Sequence, residues 1–322
     1  MFHFIYNRFV QRFLLNYLTI FFIFSILGFS PCFAQEDDKI AGEFFGVPVP
    51  MNNYKFAKGV VVRLNAKWRG TPQNEEELED LVWQELLFSY EAFNRDIEAT
   101  REEIEEEIDK ILKSDKVQFN RKEDKEAYQN WVEEKLKESV VAFEQQIEHL
   151  IKLEKLRQQV LDSIEPEVSE EEAYQKFLDE YNSLGVELIQ FEDSQLQEAQ
   201  EFYKQVKSKP KLWEEKKEEK QESFRNLKGP YALDFLINLW GFKREDAYKM
   251  MDKKVDEFYK PSPIYKGYAV FKIVATRKAD PEEFDKRKDY YFDKVKNIKK
   301  YQGFKDWAEK LKEQATIKVF IK

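Results

Sequence analysis

Downstream of residue 75 the apolar positions keep a helical period. In "EEELEDLVWQELLFSYEAFNRDI", Leu78, Leu81, Val82, Leu86, Tyr90, Phe93 and Ile97 recur every three or four residues, which lines one face of a helix. Thr100 and Glu103 then have the capping-box spacing ahead of Ile104, Ile108, Ile111 and Leu112, so a second, shorter helix is predicted there. After the polar stretch "KSDKVQFNRKED", a helical pattern without Gly or Pro runs from Lys125 to Ile164 and carries Tyr128, Trp131, Val132, Leu136, Val140, Phe143, Ile147, Leu150 and Ile151. Its apolar spacing drifts instead of holding a heptad, which favours a packed helical domain over a coiled coil. Pro166 ends the pattern, and Ser169 with Glu172 forms a second capping box that opens "SEEEAYQKFLDEYNS".

Elsewhere the period is two. "VVVRLNAKW", Val60 to Trp68, puts Val60, Val62 and Leu64 on one face and predicts a strand after the lead-in "FFGVPVPMNNYKFAKG". "GVELIQF", "YALDFLINLWG" and "PIYKGYAVFKIV" predict further strands, and "TIKVFI" predicts a last one with alternating Ile317, Val319 and Ile321. Between them, "SQLQEAQEFYKQVK", "KREDAYKMM" and "DPEEFDKRKDYYFDKVKNIKKYQGFKDWAEKLKEQA" are helical, and the charged run "KLWEEKKEEKQESFRN" predicts a solvated helix or loop. The expected class is α+β, mainly helical. A lone strand leaves backbone groups unpaired, so the end strands Val60–Leu64 and Ile317–Ile321 are predicted to pair. That pairing returns the C-terminal helix and strand to the N-terminal domain and makes the unit between them an insertion.

Composition changes this picture in three places. Charged residues make up 36% of the chain, but an aromatic content of 16% argues for packed cores over disorder. The first 34 residues predict a Sec-type signal: Arg8 and Arg12 precede the apolar run "LLNYLTIFFIFSILGFS", and Cys32 and Ala34 set a cleavage site that leaves Gln35 as the mature N-terminus. The apolar run nearly reaches spanning length, so the alternative is an uncleaved inner-membrane anchor that keeps the protein near the membrane. Cleavage removes two arginines and no acid, taking the net charge from -9 to -11, which excludes a nucleic-acid binder.

Chemistry-bearing residues are sparse. The single cysteine, Cys32, leaves with the signal, as does His3, and His149 sits in the long helical pattern beside Glu148. There is no Cys/His metal cluster, no Gly-rich phosphate loop and no nucleophile paired with a base, so no cofactor is expected.

Three stretches carry a resemblance: "SIEPEVSEEEAYQKFLDEY", "VDEFYKPSPIYKGYAVFKI" and "FKDWAEKLKEQATIKVFI". Their order resembles a SurA-type chaperone, in which a helical domain precedes a parvulin-type peptidyl-prolyl isomerase domain and a closing helix and strand. The resemblance implies a signal peptide at 1–34, a helical chaperone domain at 35–183, a parvulin-like domain at 184–279, and a C-terminal helix and strand at 280–322. The family carries a histidine on the first parvulin strand, where Glu187 stands here, and another after the Gly-Tyr corner, where Ala269 stands. Its glycine-rich turn is echoed by Trp240-Gly241-Phe242. Prolyl rotation faces a barrier of about 18–20 kcal/mol, and without the histidine pair the resemblance implies a domain that has lost its isomerase chemistry.

The expected function is that of an ATP-independent holdase in the periplasm or secreted, with unfolded or nascent envelope proteins as partners. Trp83, Phe88 and Trp131, off the main apolar stripe, are the candidate client-facing wall, and Met250 and Met251 could line a binding groove because Met adapts to varied partners. Two alternatives stand beside this reading. One is an active isomerase using a different residue set, and the other is a membrane-anchored structural helical protein of the envelope.

Overall fold

The computed structural model describes residues 39–63 and 72–321. These form two compact units, one running up to Gln158 and resuming at Ala308, the other spanning Gln159–Trp307. The signal segment and its cleavage site lie outside the described residues.

The first unit opens with a hairpin of β1 (Ile40–Phe44) and β2 (Val47–Pro50) and continues with helices α1 (Met51–Arg63), α2 (Glu75–Asn94), α3 (Arg101–Ser114), α4 (Lys125–Leu136) and α5 (Val140–Ser163). Local signals set the helix starts. Asn74 caps α2 by accepting from the Glu77 amide, and Thr100 and Glu103 complete the reciprocal capping box at α3. The helical pattern from Lys125 to Ile164 breaks into two helices. Lys137 turns left-handed at φ 59°, and the Ser139 hydroxyl accepts from the Ala142 amide at the next start. Lysine rarely supplies such a stop, which is why the pattern reads as continuous. The stripes of α3, α4 and α5 meet in one core of Ile104, Ile108, Leu112, Tyr128, Val132, Phe143 and Ile147.

The strand expected from Val60 is corrected. Val60 to Arg63 end helix α1, in which Tyr54, Ala57, Val60 and Val61 share one buried face. Burial along a helical stripe outweighs the β-propensity of three successive valines. Leu64 to Trp68 lie outside the described residues. The closing strand β7 (Lys318–Val319) pairs antiparallel with β1, setting Gly42 opposite Val319 and Glu43 opposite Lys318, so the sheet order is β2-β1-β7. The partner of the C-terminal strand is therefore β1, ahead of the Pro/Gly-containing lead-in, and not the valine segment. Gly42 is required there: a Cβ would sit 2.5 Å from the Trp83 ring and 2.3 Å from the Lys318 carbonyl oxygen.

The second unit contains α6 (Glu170–Tyr181), β3 (Ser183–Phe191), α7 (Leu196–Ser208), α8 (Leu212–Glu219), β4 (Phe224–Ala232), α9 (Leu233–Trp240), α10 (Arg244–Met251), β5 (Phe258–Pro263), β6 (Tyr268–Arg277), α11 (Pro281–Asp285) and most of α12 (Lys288–Ala315). Its four strands form one antiparallel sheet in the order β4-β3-β6-β5. Helix α6 and the start of α12 belong to this unit because Ala173, Phe177, Phe284 and Tyr291 share a buried cluster, while Glu180 and Glu172 pair with Lys294 and Lys299 at 2.7 and 2.5 Å. "YALDFLINLWG" resolves into the end of β4 followed by a helix, since Leu233 and Leu236, one turn apart, both drop into the core.

Alternation along the central strands sorts side chains to two faces. Leu184, Val186 and Leu188 join Ala269, Phe271 and Ile273 under α9 and α10. Ile189, Phe191 and Val270 lie on the other face, under Ala199, Phe202, Val206 and Trp213 of α7 and α8. Gly267 makes the corner before β6 at φ +87°, where a Cβ would lie 2.0 Å from the Phe191 carbonyl oxygen.

Candidate functional site

The two positions that the resemblance singles out lie on adjacent central strands, and the pleat separates them. Glu187 stands opposite Lys272 and Ala269 opposite Gln190, so an odd number of residues divides them along β3 and β6. Glu187 shares the α7/α8 face, and Ala269 packs in the core under α9 and α10. Side chains at 187 and 269 therefore do not meet, which corrects their reading as one degenerate pair. Gln190, directly opposite, and Leu188 are the β3 residues that share Ala269's face.

Glu187 is buried and fully engaged. The Trp213 indole N–H donates to its Oε2 at 3.1 Å, Lys217 Nζ lies 3.2 Å from Oε1, and Lys228 Nζ lies 3.5 Å away. Burial pushes the carboxyl up, but the donors Trp213 and Lys217 and the charges of Lys217 and Lys228 outweigh it and hold the group below the usual carboxylate range. A carboxylate saturated in this way is a structural anchor.

On the opposite face a second buried polar cluster adjoins Ala269. Ser262, directly opposite Ala269 on β5, donates to Asp246 Oδ2 at 2.5 Å, and the Tyr259 hydroxyl donates to Oδ1 at 2.8 Å. Burial raises the Asp246 carboxyl, yet the Ser262 and Tyr259 hydroxyls and the charges of Lys260 and Lys249 bring it below its ordinary value. Burial, and next the bond to Asp246, push the Tyr259 phenol well above its ordinary value. Asp246 escaped notice because its two donors follow at irregular spacing on another element.

The side chains expected to face clients are mostly interior. Trp83, Phe88, Met250 and Met251 are buried, which corrects the assignment of the first two to a client-facing wall and of the two methionines to the lining of a binding groove. Trp83 packs beneath Gly42 and 5.9 Å from the Tyr54 ring, and the two methionines fill the sheet core under α10. Trp131 is half-buried, edge-on to Phe143 at 5.9 Å, with Lys135 over its ring. Helix α2 is apolar on several sides at "LVWQELLF", and over these residues it is buried or half-buried all round. His149 contacts Glu85 at 3.1 Å and sits edge-on to Phe56, a partnered interior position.

The exposed apolar surface of the second unit is elsewhere. Tyr231, Phe235 and Leu239 follow at four-residue steps along the end of β4 and helix α9, on the side away from buried Leu233 and Leu236. Tyr231 and Phe235 stack at 5.1 Å, and Leu239 is 65% exposed. Tyr265 extends the ridge: it is 68% exposed, its hydroxyl donates to the Asn238 carbonyl oxygen, and its ring lies against Gly241. The i, i+4, i+8 spacing in "YALDFLINL" was the available signal, hidden by reading the segment as a strand.

SurA-like chaperones and PrsA isomerases are among the solved structures this chain is similar to. One of two structurally related SurA-like chaperones of Campylobacter jejuni matches over 88% of this chain and 100% of its own, at 13% identity and a TM-score of 0.39. PrsA peptidylprolyl isomerase of Bacillus cereus matches over 89% and 96%, at 13% identity and a TM-score of 0.40. That of Bacillus anthracis matches over 74% and 99%, at 15% identity and a TM-score of 0.41. No protein-family model matches the chain, and no curated protein does. Among the described residues no helix is long and apolar enough to cross a membrane.

Proposed function

We propose that this protein is an ATP-independent holdase of the cell envelope, binding unfolded or nascent envelope proteins, and that its parvulin-like domain holds peptide without isomerising prolyl bonds. The observation that carries this reading is the ridge of Tyr231, Phe235, Leu239 and Tyr265, apolar and exposed on helix α9 and its flanks. Unfolded chains expose aromatic and aliphatic side chains, and a holdase must offer accessible apolar surface too limited to drive self-association. The acidic balance of the chain keeps such a surface soluble. The sheet supports the reading of lost isomerisation: Glu187 is saturated by Trp213 and lysines, and Ala269 sits in packed core. Signal-directed export places the protein in the periplasm or outside the cell, and retention of the N-terminal segment would keep it at the membrane.

The test is aggregation of an unfolded envelope protein with the purified mature chain and no nucleotide. The wild type is expected to slow it, and Phe235→Ser with Leu239→Ser to weaken the effect with unchanged helix content. A proline-peptide assay is expected to show no rate enhancement. Absence of suppression across several unrelated clients would favour the structural reading instead. Robust isomerisation would overturn the inactive assignment and direct attention to Asp246, Tyr259 and Ser262.

A further inference from the structure

Charge is placed unevenly along this chain. Residues 286–305, "KRKDYYFDKVKNIKKYQGFK", hold eight Lys and Arg against two acids, Asp289 and Asp293, although the chain as a whole carries a net charge of -9. They form the approach to α12 and its first part, all within the second unit. Half of these cations have partners inside the fold: Lys286 pairs with Glu283 of α11, and Lys288, Lys294 and Lys299 pair with Glu170, Glu180 and Glu172 of α6. Packing against acidic helices accounts for those four. Arg287, Lys296, Lys300 and Lys305 make no ion pair among the described residues, and packing does not account for them.

The outward face of α12 is not only basic. Tyr290, Ile298 and Tyr301 are 56%, 49% and 50% exposed, while Tyr291 and Val295 of the same helix are buried. At about 100° per residue the three exposed side chains fall within an arc of about 80°. Lys294 and Lys305 lie on the same arc, with Lys300 on its flank. Where the arc begins, Glu180, Tyr181, Arg287, Tyr290 and Tyr291 line a cleft of about 500 Å³, in which Arg287 lies over the Tyr181 ring at 5.5 Å. The carboxylate of that lining, Glu180, is already answered by Lys176 and Lys294. An anion entering the cleft therefore meets Arg287 without a competing free acid.

We propose that the outward face of α12 docks on the surface of an anionic phospholipid membrane. Each lysine or arginine brought near such a surface strengthens binding about fivefold. Tyrosine rings and an aliphatic side chain settle at the level of the headgroups, with lysine stems reaching past them to the phosphates. This mixture of side chains decides between a bilayer and an acidic polypeptide, because the latter would neutralise the cations and leave Tyr290, Ile298 and Tyr301 in water. Four uncommitted cations make the contact weak, reversible and sensitive to salt. The same lipid surface repels the acidic remainder of the chain, which turns the second unit with α12 towards the membrane. The inference rests neither on the α9 ridge nor on the holdase reading.

Vesicle co-sedimentation tests this on the chain from Gln35 onward, from which the apolar run near the N-terminus is absent and cannot insert. Vesicles of phosphatidylcholine with about one-third phosphatidylglycerol are expected to bind it about tenfold better than phosphatidylcholine alone, and about 0.5 M salt to remove most of that gain. Lys300→Gln with Lys305→Gln should weaken binding about tenfold or more. Lys204→Gln with Lys209→Gln makes the same change of charge at exposed positions outside α12 and should leave binding unchanged. Ile298→Ser with Tyr301→Ser should weaken vesicle binding about fivefold without altering binding to polyglutamate. None of these positions is buried, so helix content by circular dichroism should not change. Arg287→Gln, in the turn ahead of α12, gives an independent reading and should cost about fivefold. Equal binding to both kinds of vesicle, or an equal loss in the Lys204/Lys209 control, would overturn the proposal. Unchanged vesicle binding in the Ile298/Tyr301 variant, with polyglutamate bound as well as the vesicles, would overturn it in favour of an acidic polypeptide. Vesicle binding without suppression of aggregation would sink the holdase reading alone, and suppression without vesicle binding would sink this inference alone.

Discussion

Glu187 and Asp246 are both buried carboxylates packed on the same sheet, and both are held below their usual range, but by different donors. Glu187, on the α7/α8 face, takes an indole N–H and two lysines whose side chains remain partly in water. Asp246, under the opposite face, takes two hydroxyls that are themselves buried. One face is closed partly by lysines in direct contact with the carboxylate, the other mainly by buried neutral donors, with the charges of Lys260 and Lys249 as smaller contributions. The face that holds Ala269, where the resemblance would put half of a histidine pair, is thus occupied by the better-insulated network.

The comparison can be broken most forcefully at Trp213. This side chain is fully buried, stacks on Phe202 at 5.9 Å, lies 5.3 Å from Phe258 and donates to Glu187. Trp213→Ala is expected to cost about 3–5 kcal/mol in urea denaturation. A loss below about 1 kcal/mol would mean that the α7/α8 face is not closed by this ring.

On the other face, Asp246→Ala leaves the Tyr259 and Ser262 hydroxyls without their acceptor and is expected to cost about 2–4 kcal/mol. Acid should sharpen the contrast. Both folded carboxyls bind protons less readily than in the unfolded chain. Their stabilisation is therefore complete above the ordinary carboxylate range and is lost as pH falls through the lower folded values. Asp246→Asn should flatten part of the stability loss below about pH 4. An unchanged acid profile would show that Asp246 does not titrate with folding.

The smallest effect concerns catalysis. Glu187→His with Ala269→His puts two imidazoles on opposite faces, so the double variant should give no proline-peptide rate enhancement. Ala269→His should also destabilise by about 1–3 kcal/mol through overpacking. A clear gain of isomerase activity would show that the strands can present both side chains to one site.

Much of the helical framework was legible. The capping boxes at Thr100 and Ser169 stand where their spacing puts them, and the stripe through Ile104, Ile108, Tyr128, Val132, Phe143 and Ile147 is the core of the first unit. The Gly267-Tyr268 corner before the last sheet strand also follows its sequence signal. The candidate site was much less legible. Phe93 looked like core because it continues the stripe, yet it is exposed, while Trp83 and Phe88 looked peripheral and are enclosed. Val60 to Arg63 read as a strand until the rest of α1 supplied a helical face.

These outcomes divide by the range of the forces. Caps, turn glycines and three-to-four-residue periodicity involve groups within one turn of chain, so the amino-acid sequence determined where helices begin, which stripes could form cores, and that a glycine must make the corner at 267. Whether an apolar side chain is covered depends on neighbours far along the chain. Trp83 is enclosed where β1 passes over it at Gly42, and the ridge of Phe235 and Leu239 is left open on the outer side of α9. The face taken by Glu187 depends on the parity and pairing of β3, and burying its charge depends on Trp213 and Lys217 arriving from α8. Tertiary packing decided those points, because hydrophobic burial and charge compensation are properties of the assembled neighbourhood and not of the local segment.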